Sequence, residues 1–191
     1  MLKELGRLDE AEASYTQTLA LKPDYVEAHN NLGNTLKELG RLDEAEASFI
    51  QAIALKPDSA EAHSNLGNTL QELGKLDKAE ESYTQAIALK PDYAAAHNNL
   101  GNTLQELGRL DEAKLSLRQA IALKPDYSQA FWNLHGIQKT IGEAEHWIDQ
   151  CLTADANHEL ARLMKAALRF YQGDGNSFDD LMQSKFKQHP F

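Results

Sequence analysis

Residues 26–59 read VEAHNNLGNTLKELGRLDEAEASFIQAIALKPDS, and this 34-residue pattern returns twice in the chain that follows. Residues 60–93 read AEAHSNLGNTLQELGKLDKAEESYTQAIALKPDY, and residues 94–127 read AAAHNNLGNTLQELGRLDEAKLSLRQAIALKPDY. Adjacent copies are identical at 25 and 26 of their 34 positions. A fixed period of this length indicates an array in which each unit buries its apolar face against its neighbours.

Each copy is predicted to form two helices separated by a glycine turn. In the first copy a helix is expected from Glu27 to Leu39, and Gly40 ends it because glycine adopts the left-handed C′ conformation without steric cost. A second helix is expected to begin at Asp43, as its N-cap, and to end at Leu55 before Pro57. Apolar residues recur every three or four positions, as a buried helical face requires: Ala28, Leu32, Leu36 and Leu39 in the first helix, and Ala45, Phe49, Ala52, Ile53 and Leu55 in the second.

Glycine recurs inside the first helix of every copy, at Gly33, Gly67 and Gly101. A glycine within a helix costs about 0.5–1 kcal/mol relative to alanine, so its repetition requires a reason. Close approach of the paired helix is the predicted reason, with the bulky Tyr15, Phe49 and Tyr83 filling the space that remains.

The spacing Leu32-Gly33, Leu36, Ala45, Phe49, Ala52, Pro57 resembles the tetratricopeptide repeat signature, and it recurs in both later copies. This resemblance implies an all-α fold, a right-handed α-solenoid of antiparallel helix pairs. Two positions depart from the family pattern without changing the packing: histidine replaces the usual tryptophan and leucine replaces a common tyrosine. These residues are His29, His63 and His97, and Leu36, Leu70 and Leu104.

The repeat pattern divides the chain into six segments. Residues 1–25 are a partial repeat, 26–59, 60–93 and 94–127 are full repeats, 128–156 are a degenerate repeat, and 157–191 are a C-terminal helical cap or a connector to a further domain. Within the degenerate repeat, Ser128–Thr140 aligns as a first helix and Glu143–Thr153 as a second. Another first helix is expected over Asn157–Gln172, followed by a turn capped by Ser177 and a last helix to about Lys187.

Asparagine recurs in every first helix in two series, although it is a poor helix former. The Asn31 series comprises Asn31, Asn65, Asn99 and Asn133, and the Asn34 series comprises Asn34, Asn68 and Asn102. Each side-chain amide offers donors and an acceptor. A similar asparagine ladder lies inside the superhelix of O-GlcNAc transferases, where it grips substrate peptide backbone, so the resemblance implies that the Asn31 series lines a concave peptide groove. The Asn34 series, on the same helices, is expected to contact the peptide as well. The alternative is that these amides bond to neighbouring helices and only build the stack.

Trp132 occupies an inward-facing position near the end of the asparagine series, where it either stacks on a ligand or seals the groove. The cations with which chaperone-binding relatives clamp a C-terminal carboxylate are absent; the matching residues are Glu27, Asn30, Glu61, Ser64, Ala95 and Asn98. Acidic residues near this face, Glu38, Glu72 and Glu106, favour a neutral or basic peptide segment as partner.

The net charge of −10 disfavours nucleic acid and anionic membrane surfaces as partners. The single cysteine, Cys151, is interpreted as a core residue, and together with the absence of a signal peptide it favours a cytoplasmic location. No phosphate-binding loop, serine elbow or metal-ligand spacing is present, so the sequence predicts no enzyme, cofactor or metal. The histidines recur one repeat apart, too far to share an ion, and are interpreted as packing residues.

The sequence therefore predicts a protein–protein interaction module that binds an extended peptide. Two alternatives stay open: a substrate-docking region of a larger glycosyltransferase or methyltransferase, and an array that self-associates end to end. The ligand, the oligomeric state and the presence of further domains are not determined by the residues.

Overall fold

The computed structural model describes residues 2–137 and, beyond them, 146, 148–150, 152, 153, 155, 161, 162 and 165. The regular structure in this part of the chain consists of α-helices: α1 (Leu2–Leu21), α2 (Val26–Glu38), α3 (Leu42–Leu55), α4 (Ala60–Glu72), α5 (Leu76–Leu89), α6 (Ala94–Glu106), α7 (Leu110–Leu123) and α8 (Ser128–His135). The chain divides into two compact units, Met1–Gly108 and Arg109–Phe191.

The first unit is an array in which α2 pairs with α3 and α4 pairs with α5. Each pair also packs against its neighbours, through α1 with α2, α3 with α4, and α5 with α6. The predicted alternation of first and second helices is confirmed, and the predicted ends of α2 and α3 are right to within one residue.

The turn inside each repeat has the geometry that its glycine predicts. Gly40, Gly74 and Gly108 have φ angles of 76°, 71° and 78°, in the left-handed region that favours glycine. At the first turn, the Gly40 N–H donates to the Lys37 carbonyl and the Arg41 N–H donates to the Leu36 carbonyl, both at 2.9 Å. This pair of bonds is a Schellman motif, which satisfies the last carbonyls of α2.

The prediction that Asp43 is the N-cap of α3 is wrong. Helix α3 begins at Leu42, and its N-cap is Arg41, which makes no capping hydrogen bond through its side chain. The reason is the shortness of the turn, since Arg41 both closes the Schellman motif and starts the next helix. Asp43 and Glu44 then lie in the first turn of α3, where negative charge interacts favourably with the helix dipole.

The core of the first unit consists of equivalent clusters in successive repeats. Leu36, Ala45 and Phe49 form one cluster, and Leu70, Ala79 and Tyr83 form the next. Leu66 packs against both clusters, so the apolar core is continuous between the two repeats. One predicted core residue lies outside it: Leu55, in the last turn of α3, is 42% exposed.

The glycines inside the first helices lie directly against the aromatic rings of the second helices. A Cβ atom added at Gly33 would be 2.8 Å from the ring of Phe49, and one added at Gly67 would be 2.7 Å from the ring of Tyr83. Real Cβ atoms do not approach rings so closely, so both positions require glycine. The prediction that close helix packing explains these glycines is confirmed at both sites.

Each of the repeated histidines forms a hydrogen bond between its first helix and the proline turn before that helix. His63 Nε2 lies 3.1 Å from the Pro57 carbonyl oxygen, and the equivalent distances are 2.8 Å for His29 with Pro23 and 3.0 Å for His97 with Pro91. A carbonyl oxygen only accepts, so Nε2 carries the proton in these bonds. The histidines therefore have a structural partner in each repeat, beyond the packing role expected for them.

We expect replacement of His63 by alanine to lower the free energy of unfolding by about 0.5–1.5 kcal/mol, the usual contribution of one hydrogen bond. Chemical denaturation followed by circular dichroism measures this change. Addition of equimolar zinc to the unmodified protein should leave its unfolding transition where it was. A zinc-dependent rise in stability that His63→Ala abolishes would contradict the structural role.

The second unit contains α7, α8 and part of a further apolar core. Phe131, Ile148 and Ala161 form a buried cluster against which Trp132 and Leu152 pack. The predicted core positions Ala130 and Leu134 of α8 are fully buried. Helix α8 ends at His135, with Gly136 as its C-cap, and so stops short of the predicted end at Thr140, because glycine there weakens the helix.

Several expectations for the C-terminal third lie outside the described residues. They concern Cys151, Trp147, most of the predicted helices Glu143–Thr153 and Asn157–Gln172, and all of residues 173–191.

Candidate binding face of the first helices

The first helices of the first unit lie side by side. Helix α4 contacts both α2 and α6 directly, in addition to its packing against the second helices. We call the exposed and half-buried side chains of α2, α4 and α6 the first-helix face. The side chains at equivalent positions of successive helices form rows across this face, because the repeat places them in register.

The Asn31 series differs in exposure along its row. Asn31 is exposed, whereas Asn65 and Asn99 are half-buried. The Nδ2 atom of Asn65 donates to Oδ1 of Asn30 at 3.2 Å, and Nδ2 of Asn99 donates to Oδ1 of Asn68 at 2.8 Å. Each of these bonds joins one first helix to the next. Asn65 and Asn99 therefore bond to the neighbouring helix, as the structural interpretation of the series requires. Both side chains also remain partly exposed, so a ligand can still reach them.

The Asn34 series lies half-buried beside this row, at Asn34, Asn68 and Asn102. Asn68 has the most contacts, since the hydroxyl of Tyr83 donates to its Oδ1 at 2.8 Å. The same hydroxyl lies 3.2 Å from Oε1 of Gln71, whose Nε2 in turn donates to a carboxylate oxygen of Glu106 at 2.6 Å. A hydrogen-bonded network therefore links α4, α5 and α6, from the buried Tyr83 to the exposed Glu106.

The Tyr83 hydroxyl stays protonated and can therefore donate a hydrogen bond. Burial raises the pKa of Tyr83 above its ordinary value, and the nearby carboxylates Glu72 and Glu106 raise it further. Loss of the phenolic proton would place a negative charge in an apolar pocket close to two others. Tyr83 is therefore protonated at any pH near neutrality, and the bond to Asn68 does not depend on pH in that range.

The second unit contains the remaining predicted site residues. Asn133 is half-buried, and its Oδ1 accepts a hydrogen bond from Nε2 of Gln129 at 3.0 Å. Trp132 is half-buried and packs against the Phe131 cluster. This contact gives Trp132 a place in the apolar core of its own unit.

Four residues that take part in these hydrogen bonds were not singled out as site residues from the sequence: Asn30, Gln71, Tyr83 and Asn98. Asn98 is buried, and its Nδ2 donates to Oδ1 of Asn99 at 3.0 Å. One signal pointed toward Tyr83, because the equivalent position in the preceding repeat is Phe49 and the two differ only by a hydroxyl group. The fully buried tyrosine needs a partner for that hydroxyl, which Asn68 supplies.

The first-helix face is acidic. Helices α2, α4 and α6 carry five carboxylates and one lysine, Lys37, whose Nζ lies 3.6 Å from Glu72. The remaining carboxylates give the face a negative potential that attracts cationic groups.

Among the described residues, no three histidine, cysteine, aspartate or glutamate side chains are placed to hold a metal ion together. No described helix is both long enough and apolar enough to cross a membrane.

The helix pairs, the glycine–aromatic contacts and the fixed period define an all-α solenoid of helical repeats. The sequence profile described as "Tetratricopeptide repeat" matches residues 24–92 and 58–126, and a second profile, "TPR repeat", matches residues 1–40. The chain belongs to the tetratricopeptide repeat family. A comparison with curated protein sequences gives no match.

Three different proteins illustrate the solved structures that share this fold. MamA aligns with a TM-score of 0.74 and 26% identity, over 81% of this chain and 92% of its own. PilW, described as a widely conserved type IV pilus biogenesis factor, aligns with a TM-score of 0.83 and 22% identity, over 96% and 87%. The first repeat domain of Spaghetti (RPAP3), bound to the HSP90 peptide SRMEEVD, aligns with a TM-score of 0.58 and 25% identity, over 59% and 89%.

Proposed function

We propose that this protein is a protein–protein interaction module whose first-helix face binds an extended peptide through asparagine amides. The family and the solved relatives support the general role, since the RPAP3 domain was solved with a peptide bound. The proposed activity is binding, without catalysis or a cofactor. The asparagine rows are the part of the chain to which we assign it.

The observation that carries the proposal is the closeness of the side-chain amides of adjacent first helices. Asn65 reaches Asn30 on the preceding first helix, whereas Asn99 reaches Asn68, which lies one turn further along its own helix than the equivalent of Asn30. Each amide keeps further hydrogen-bonding capacity after these contacts, because a primary amide has two N–H groups and two acceptor lone pairs. A row of such groups matches the alternating N–H and C=O groups of an extended backbone and is indifferent to most side chains.

The length of peptide follows from the spacing of the rows. Packed helices lie about 8–10 Å apart, and an extended chain advances about 3.3 Å per residue. Each repeat therefore corresponds to about three peptide residues, and three repeats to about nine.

The acidic first-helix face of this chain is unsuited to the acidic kind of peptide that its relative RPAP3 binds. The HSP90 peptide SRMEEVD in the RPAP3 complex is acidic. Here the first-helix face carries an excess of carboxylates. The positions that match the clamp cations of chaperone-binding relatives hold Glu27, Asn30, Glu61, Ser64, Ala95 and Asn98. We infer that neutral or lysine-containing segments are preferred to acidic ones.

The test replaces Asn31, Asn65 and Asn99 together by alanine and measures binding to end-capped peptides of alanine, serine, glutamine and lysine. Loss of three hydrogen bonds at about 0.5–1.5 kcal/mol each should weaken binding about 10- to 2,000-fold. Isothermal titration or fluorescence anisotropy measures the affinity, and circular dichroism checks that the variant is folded. The peptide SRMEEVD should bind more weakly than the lysine-containing peptides.

A matched control uses the amides of the second helices. Gln17, Gln51 and Gln85 recur at one exposed position of α1, α3 and α5. Their triple replacement by alanine removes as many amides from a different surface and should leave binding unchanged. Equal binding by the folded asparagine variant and the unmodified protein would rule out the amide rows as the binding site.

A further inference from the structure

The amide of Asn68 has its oxygen fully engaged inside the protein. Its Oδ1 accepts from the Tyr83 hydroxyl and from Nδ2 of Asn99, each at 2.8 Å. A carbonyl oxygen has two lone pairs, so these two donors occupy both. The amide cannot rotate to present its oxygen to a ligand without breaking both bonds.

The nitrogen of the same amide is left for solvent or ligand. Among residues 2–137, no group forms a hydrogen bond with Nδ2 of Asn68. This nitrogen is accessible to solvent, since it is not among the described polar atoms that are both buried and without a partner. Asn68 is half-buried, so the group reaches the surface of the first-helix face. It therefore presents two N–H donors and no acceptor.

We propose that Tyr83 is a positioning residue for peptide binding: its buried hydroxyl fixes the Asn68 amide so that the Nδ2 donors meet a backbone carbonyl oxygen of the ligand. This inference rests on the proposed function and adds to it a fixed point in the peptide register. Asn68 would set which peptide unit lies between α4 and α6, because the carbonyl oxygen is the only acceptor among the backbone groups of a peptide unit.

The preceding repeat provides a comparison within the chain. Asn34 occupies the position equivalent to Asn68, and Phe49 occupies the position equivalent to Tyr83. Phe49 is as fully buried as Tyr83 and packs against the equivalent glycine, so a phenylalanine ring fits this site of the repeat. Phe49 has no hydroxyl group to donate to Asn34, so the Asn34 amide can present either its oxygen or its nitrogen to a ligand. The fixed donor thus belongs to the repeat of residues 60–93.

The experiment compares Tyr83→Phe with the unmodified protein in two measurements. Without ligand, NMR of the Asn68 side-chain NH₂ group should show increased mobility and faster solvent exchange in the variant, because one of the two bonds that hold the amide is lost. With the lysine-containing peptides, the variant should bind about 2- to 10-fold more weakly, as expected for the loss of one well-placed hydrogen bond. Tyr93→Phe, which removes a tyrosine hydroxyl in a linker, serves as the control and should change neither measurement.

A double-mutant cycle distinguishes positioning from a general structural effect. If Tyr83 acts through Asn68, Tyr83→Phe has no further effect on affinity in an Asn68→Ala background. Additive effects, or unchanged NMR signals and affinity in Tyr83→Phe, would overturn the positioning role while the proposed function stands. Failure of the unmodified protein to bind any of the peptides would overturn the proposed function and this inference with it.

Discussion

Replacement of Tyr83 by alanine is expected to lower the free energy of unfolding by about 3–5 kcal/mol, the range found for large aromatic side chains removed from a core. The Tyr83 ring is fully buried between the helices of its pair, in a cluster with Leu70 and Ala79. Its removal leaves a cavity that the backbone at Gly67 cannot fill, since that residue has no side chain. The network at Asn68 loses its donor as well.

Urea denaturation followed by circular dichroism measures this loss. Arrays of repeats do not always unfold in one step, so hydrogen exchange of the amides in α4 and α5 should be measured in parallel to locate the weakened repeat. Tyr83→Phe is the control, because it keeps the ring and should cost no more than about 0.5–1.5 kcal/mol. A cost below about 1 kcal/mol for Tyr83→Ala would show that the site collapses around the missing ring and that our account of the packing is wrong.

The fold was predictable because each repeat carries its own local signals. The glycine that follows every first helix predicted a left-handed turn, and Gly40, Gly74 and Gly108 adopt it. Small residues opposite large ones predicted close packing, which the contacts of Gly33 and Gly67 confirm. These signals act over a few residues, or across one pair of helices, and are repeated often enough to be unmistakable.

The wrong predictions concern details that depend on the neighbouring segments as well as on the residue itself. Asp43 has the chemistry of an N-cap, but the three-residue connection before α3 leaves that role to Arg41. Leu55 continues the apolar spacing of α3, but it lies in the last turn, beyond the part of the helix that its neighbours cover. Spacing within one helix shows which residues share a side and does not show how far the partner helix extends.

The candidate site was only partly predictable for a related reason. The asparagine rows are visible in the sequence, and the structure places Asn65, Asn68 and Asn99 at or near the surface of adjacent first helices. Their bonds to one another join residues about one repeat apart, such as Asn68 with Asn99, and depend on side-chain rotamers. Periodicity gives the rows but not these pairings, so it could not show that Asn68 is held by Tyr83.

The contact between Gly67 and Tyr83 leads to the second large effect. We expect Gly67→Ala to destabilise the protein by about 1–3 kcal/mol, although alanine is the better helix former, because the new methyl group would be 2.7–2.9 Å from a ring that has no room to move. If that clash is the cause, Tyr83→Leu should relieve it, since leucine is the residue at the equivalent position of the next repeat, Leu117. The double variant should then be more stable than the sum of the single changes predicts, by about 0.5–3 kcal/mol.

Gly74→Ala provides the matched control for that cycle. Its φ angle of 71° makes any side chain costly, by about 1–2 kcal/mol, yet a Cβ atom there meets nothing within 4 Å. The cost at Gly74 therefore arises from backbone conformation alone and should add to the effect of Tyr83→Leu without coupling. Coupling at Gly67 with additivity at Gly74 would show that glycine serves two separate purposes in one repeat: close packing in the helix and a left-handed turn after it. Additive behaviour at both positions would mean that Gly67 is not held by the ring of Tyr83.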